Sequence, residues 1–82
     1  MIVREIRFSL GDVGRSPAAH IEVDGVEYMI LGGRSSVTIL SGRWCHDRRA
    51  TGKTFRSVAD VVSHYKRHGE EIAKYVSRLV SF

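Results

Sequence analysis

Three groups of residues in this sequence are of types that chemistry uses. The first, Thr51-Gly52-Lys53-Thr54, resembles the end of a phosphate-binding loop. The complete loop needs a glycine five residues ahead of Gly52, where this chain has Asp47. A single short chain also lacks room for the parallel sheet of a nucleotide domain. The tetrapeptide is therefore expected to be a turn leading into a helix, with Phe55 anchored in the core.

The second group is Cys45, His46, His64 and His68. His64 and His68 are four residues apart and would share one helical flank. Cys45 and His46 are adjacent, and in an extended chain they point to opposite faces. Histidines bordering an apolar helix stripe are most simply half exposed, so no metal and no cofactor is expected. Cys45 has basic neighbours that would lower a thiol pKa. Nothing marks an orienting base or an oxyanion site, so it is read as a partly buried thiol and the chain as non-enzymatic.

The third group is a concentration of charge. The 82 residues carry a formal charge of +4. Arg43, Arg48, Arg49, Lys53 and Arg56 are opposed within their segment only by Asp47, so residues 42 to 56 alone account for the whole +4. This is a patch rather than a diffuse bias. Trp44 is interleaved with it, and cations around an aromatic are the ingredients of a nucleic-acid surface. Arginine's planar fork serves protein carboxylates equally well. The plainest reading of the segment is a solvated loop, with Trp44 capping the sheet edge; contact with a protein partner comes next, then nucleic acid. No helix-turn-helix spacing, aromatic pair of an RNA-binding sheet or zinc-finger ligand set is present.

The elements that must position these groups follow from periodicity. At this length one domain is expected. A single cysteine permits no internal disulfide, which fits a reducing compartment such as the cytoplasm. No apolar run reaches the roughly 18 residues of a membrane span, so no membrane partner is expected. Asp24-Gly25, between two alternating runs, predicts a hairpin over residues 18 to 31. A two-residue loop pairs Val23 with Val26, Ile21 with Tyr28 and Ala19 with Ile30, all on one face. His20, Glu22, Glu27, Met29 and Leu31 take the other.

Ile2 to Leu10 reads as a half-buried strand with Ile2, Ile6, Phe8 and Leu10 on one face, Arg4 being the exception. Val3, Glu5, Arg7 and Ser9 share the other. Gly11 to Pro17 is a loop. A further strand is expected at about Ser36 to Ser41, with Gly42 bending it and residues 43 to 46 able to prolong it. Residues 48 to 53 have no usable period. Ser57 and Asp60 have the spacing of a helix start, and Val58, Val61, Val62 and Tyr65 mark a buried stripe. The stripe resumes at Ile72, Val76, Leu79 and Val80. One helix over this whole stretch would be about 36 Å long, against a radius of gyration near 12 Å for a chain this size. A break at His68-Gly69 is expected, with Gly69 as the residue past the helix end and Glu70 and Glu71 in the next first turn. The fold is α+β: a small antiparallel sheet of three to four strands, then one long broken helix or two C-terminal helices on one face.

The run Gly52-Lys53-Thr54-Phe55-Arg56-Ser57-Val58-Ala59-Asp60-Val61-Val62, continued through His64-Tyr65-Lys66-Arg67, resembles the strand-to-helix junction of small phage and mobile-element proteins. The resemblance spans roughly residues 51 to 69, includes no catalytic motif and transfers no functional residue. It implies a sheet-then-helix module in the cytoplasm of a bacterial host, of the kind that includes inhibitors of host defence such as anti-CRISPR proteins. The expected function is occlusion of a host protein or ribonucleoprotein with an acidic surface. Arg43, Trp44, Arg48, Arg49, Lys53 and Arg56 would make the contact, with direct binding of nucleic acid as the alternative.

Two consequences are testable. Glu22 lies opposite Glu27 in the hairpin register, and like charges there repel, so Arg4 or Arg7 from a flanking strand is expected beside one of them. Val61→Asp puts an unpaired charge among buried side chains. The variant is expected to lose its cooperative thermal transition; a melt within a few degrees of wild type would mean the helix buries another face.

Overall fold

The computed structural model describes residues 1–82. Five antiparallel strands lie side by side in chain order. They are β1 (Val3–Ser9), β2 (Ala18–Val23), β3 (Val26–Gly32), β4 (Val37–Ser41) and β5 (Lys53–Phe55). A 3-10 turn occupies Gly42–His46 between β4 and β5, and α1 (Val58–His64) and α2 (Gly69–Leu79) follow the sheet. The fold is α+β, with helices on one face.

The hairpin sets the arrangement. Asp24 and Gly25 take φ of 50° and 84°, the left-handed pair that a tight hairpin turn requires. Val23 then pairs with Val26, Ile21 with Tyr28 and Ala19 with Ile30, the register expected from the sequence. Ala19, Ile21, Val23, Tyr28 and Ile30 are buried, and Val37 and Ile39 continue that face into β4. Each fully buried Ile or Val contributes about 1.5–3 kcal/mol. Val26 departs from expectation: at the hairpin tip it is 37% exposed.

Arg4 lies opposite Glu22 with Nη2 3.2 Å from Oε2, the arginine–glutamate approach expected, and of the two hairpin edges β1 takes that of β2. The burial expected for β1 is overturned. A bulge between Glu5 and Arg7 leaves Ile6 unpaired and shifts the alternation by one residue. Glu5 and Phe8, which uninterrupted alternation would place on opposite faces, therefore both face α2. There the Arg78 guanidinium lies 4.0 Å from the Phe8 ring and 3.7 Å from Glu5 Oε1. Ile2, Ile6 and Leu10 are left exposed.

β5 is the strand that periodicity missed. Its three residues pair Val37 with Phe55, Thr38 with Thr54 and Ile39 with Lys53, and the two threonine hydroxyls meet at 3.2 Å. Phe55 is buried as expected. Residues 43 to 46 do not prolong β4, because Gly42 at φ 59° turns the chain into the 3-10 segment.

The helical layer is two helices, broken earlier than expected. Ser57 Oγ accepts from the Asp60 N–H at 3.1 Å, which caps α1, and Val61 is fully buried. α1 stops at His64 because Tyr65 leaves helical geometry and packs its ring 5.5 Å from Tyr28 and 5.6 Å from Phe55. Gly69 is not a left-handed residue past a helix end; it is the first residue of α2. A Cβ there would sit 2.6 Å from the Val62 carbonyl oxygen and 2.7 Å from Val62 Cα. Glycine at this position lets the two helices touch backbone to backbone.

His68, expected to be half exposed, is buried at 8% exposure. Its Nδ1 is 2.7 Å from the Tyr28 hydroxyl, and its Nε2 is 3.6 Å from Asp24 Oδ2. The other Asp24 oxygen accepts from the Ile2 N–H at 2.9 Å. That bond is the main reason the Asp24 carboxyl is held below the ordinary aspartate range, with His68 and Arg67 adding to it against an opposing push from burial.

Alanine normally stabilises a helix by about 1 kcal/mol relative to glycine. Gly69→Ala is expected to reverse that sign and destabilise by roughly 1–3 kcal/mol through overpacking, read from denaturant midpoints. A more stable variant would mean that the α1–α2 contact yields freely. Asp24→Asn keeps both the turn preference and the acceptor oxygen but removes the charge. A carboxyl whose folded pKa is depressed contributes stability above its unfolded value of about 3.9, and loses it as pH falls through the folded value. Wild type is therefore expected to exceed Asp24→Asn in stability at about pH 5, with the gap closing as pH falls below about 4. A gap unchanged by acid would refute the role of the charge.

Candidate functional site

Two glycines shape the basic segment. Gly42 redirects the chain off β4. Gly52, at φ 72°, brings it back so closely that a Cβ would meet Thr38 Cγ2 at 2.9 Å and the Ile39 carbonyl at 3.0 Å. Between them the loop is held by its own turns. The Asp47 N–H donates to the Trp44 carbonyl at 3.2 Å and the Ala50 N–H to the Asp47 carbonyl at 3.1 Å. The Arg49 N–H donates to Asp47 Oδ1 at 2.9 Å.

This path frames a cleft of about 410 Å³ between the 3-10 turn, the returning loop and the end of α1. Trp44, Arg49, Lys53, His64 and Tyr65 line it, with Leu40 from the sheet. Lys53 and His64 also border a neighbouring shelf that carries Arg56 and Lys66, with Asp60 as its one carboxylate. Of the residues expected from the sequence, Trp44, Arg49 and Lys53 converge on the cleft and Arg56 joins them from the shelf. Arg43 and Arg48 stand outside both hollows and are exposed. Arg43 instead lays its guanidinium 4.9 Å from the Trp44 ring centre, a cation–π contact that covers one face of the indole. None of the five cations of the segment forms an ion pair within the chain.

His64, Tyr65 and Lys66 were not anticipated in the site. They reach it because α1 ends at His64, a boundary set by the aromatic cluster and carrying no local sequence signal. The Tyr65 phenol is pushed up to about 12, chiefly by burial, so it is neutral at any physiological pH. His64 packs 5.4 Å from the Phe55 ring and 4.7 Å from that of Tyr65.

The remaining chemistry-bearing residues separate. Lys53-Thr54 lies in β5 and opens no helix, so no phosphate loop forms. His64 and His68 share no helical flank, since α1 ends between them. The Cys45 thiol donates to the Leu40 carbonyl at 3.5 Å. Burial pushes its pKa up, with Glu27 adding to the effect against backbone hydrogen bonds, and keeps it a thiol; the lowering expected from basic neighbours does not occur. His46 turns away from Cys45 toward the uncovered sheet face, where its Nε2 is 2.5 Å from Glu27 Oε2.

No protein-family model, curated protein or solved structure matches this chain. No helix is long and apolar enough to cross a membrane. The functional argument therefore rests on the fold and the site.

Proposed function

We propose that this chain is a non-enzymatic binding protein that docks its basic edge on an acidic surface of a host protein or ribonucleoprotein and blocks it by occlusion, in the manner of small phage-borne inhibitors such as anti-CRISPR proteins. The observation that carries this reading is the set of five cations in residues 43 to 56, all exposed and none paired with a carboxylate of its own chain. Asp47 and Asp60 are close in the chain but pair with none of these cations, which leaves the charge available to a partner. Trp44, 47% exposed beside Arg43 and Arg49, has the composition of an interface hot spot, where tryptophan and arginine dominate. The likeness of residues 51 to 69 to phage and mobile-element proteins directs the reading toward host defence complexes.

Protein docking is favoured over nucleic acid by two placements. The uncovered sheet face carries Glu22, paired with Arg4, and Glu27, carboxylates that weigh against a sheet-based RNA-binding mode. One face of Trp44 is already covered by Arg43, which halves its use as a stacking platform.

The test compares wild type with Arg49→Ala/Lys53→Ala, both positions being exposed and outside the core. Added to purified CRISPR ribonucleoprotein nucleases, wild type is expected to inhibit target cleavage near stoichiometric concentration. The variant is expected to lose about 30-fold in potency, the equivalent of about 2 kcal/mol. Labelled duplex and single-stranded oligonucleotides titrated at two salt concentrations are expected to bind negligibly near physiological salt. Micromolar oligonucleotide binding that the variant loses, with log K falling against log salt at a slope near −4 for duplex, would overturn protein docking in favour of nucleic acid.

A further inference from the structure

The uncovered face of the sheet brings together three groups that the basic cleft does not use. His20 comes from β2, Glu27 from β3 and His46 from the 3-10 turn. Their ligand atoms all lie within 4.8 Å of one another. Glu27 sits between the two rings, with Oε2 2.5 Å from His46 Nε2 and Oε1 3.6 Å from His20 Nε2. The two imidazoles meet edge to face, with centroids 5.9 Å apart.

His20 Nε2 is the informative atom. It is buried and has no hydrogen-bond partner, although the Glu27 carboxylate stands just beyond reach. Buried polar nitrogens are rarely left in that state, and here the vacancy points at a carboxylate and a second imidazole. Two imidazole nitrogens and one carboxylate oxygen are the protein ligands of open zinc sites and of the facial triads that hold other divalent transition metals. In a tetrahedral site with bonds of about 2.0–2.1 Å, ligand atoms sit about 3.3 Å apart. The required adjustment falls on His46, whose side chain is 63% exposed and free to rotate, while His20 and Glu27 are fixed by adjacent strands. Glu22, across from Glu27, is occupied by Arg4 and leaves Glu27 to the metal.

We propose that His20 Nε2, the Glu27 carboxylate and His46 Nε2 bind one divalent transition metal of the zinc class, with its outer coordination positions open to solvent. The metal clips the 3-10 turn to the sheet. The site contains no thiolate, because Cys45 is turned to the Leu40 carbonyl.

The test uses the full chain, stripped with chelator and dialysed, titrated with zinc against a chromophoric competitor and with cobalt by visible absorption. One equivalent is expected to bind with a Kd below about 10 μM, the cobalt complex showing d–d bands without thiolate charge transfer. Glu27→Gln and the exposed His46→Ala are each expected to weaken binding at least about tenfold, a typical consequence of altering a metal ligand set. Both should keep the wild-type circular dichroism. Cys45→Ser and His64→Ala are expected to bind as wild type does. Absence of saturable binding at one equivalent would overturn the proposal. So would binding that survives Glu27→Gln and His46→Ala, or that disappears in Cys45→Ser or His64→Ala. None of these outcomes depends on the proposed docking partner.

Discussion

The constraint on which this structure depends is the left-handed turn at Asp24 and Gly25. With no freedom in loop length, the turn fixes which residues of β2 and β3 stand opposite one another, and strand parity then decides which side chains are buried. A slip of one residue would exchange Ala19 and Ile21 for His20 and Glu22 in the core. The same aspartate extends its influence beyond the hairpin. Its backbone N–H donates to the Ile2 carbonyl, its side chain accepts from the Ile2 N–H, and its second oxygen approaches His68 at the start of α2. One residue thus sets the hairpin, anchors β1 beside it and positions the helical layer above it.

Because parity separates the faces so cleanly, the two sides of the sheet do different work. The side under α2 is apolar; Tyr28 meets His68 Nδ1 there, while His68 Nε2 faces the Asp24 carboxylate at 3.6 Å without a hydrogen bond. The other side has no helix. It gathers histidines and glutamates, which is where a chain this small can hold polar groups near one another without burying them fully. The excess positive charge lies on neither face. Gly42 and Gly52 lift the chain off the sheet and return it, so the arginines between them project from an edge where none of them forms an ion pair with a carboxylate of the protein.

How much of this was legible in the sequence depends on how local the signal is. The hairpin, the α1 cap at Ser57 and the approach of a β1 arginine to a hairpin glutamate were readable, because each rests on two or three neighbouring residues or on one charge pair; which edge of the hairpin β1 takes was not. The inward face of β1 was not, since alternation assumes an unbroken register and the bulge at Ile6 is fixed by what Phe8 and Glu5 meet on α2. β5 has too few residues for any period to appear. Gly69 was seen to matter, but for the wrong reason: cap chemistry is local, whereas its contact with Val62 belongs to the packing of two helices. The basic site was half legible. Its cations are contiguous in the chain, while His64 and Lys66 join only because an aromatic cluster ends α1 early. His20, Glu27 and His46 lie far enough apart in sequence that only the sheet register and the Gly42 turn bring them together.

The two surfaces are mechanically joined through the 3-10 turn. That segment has no buried residue, so hydrophobic packing does not fix its orientation. Its position rests on the Cys45 thiol at the Leu40 carbonyl and on His46 at Glu27. Trp44, the aromatic of the basic cleft, sits two residues before the last of these anchors. A metal held by His46 and the sheet would therefore order the indole and the Arg43 stacked on it, removing motion that docking would otherwise have to freeze. Immobilising a rotamer-rich interface side chain costs about 0.5–1.5 kcal/mol, so the advantage of such a clip is modest for one residue and grows with the length of loop it steadies. Metal at the polar face and docking at the basic edge would in this sense be coupled, the first holding still what the second presents.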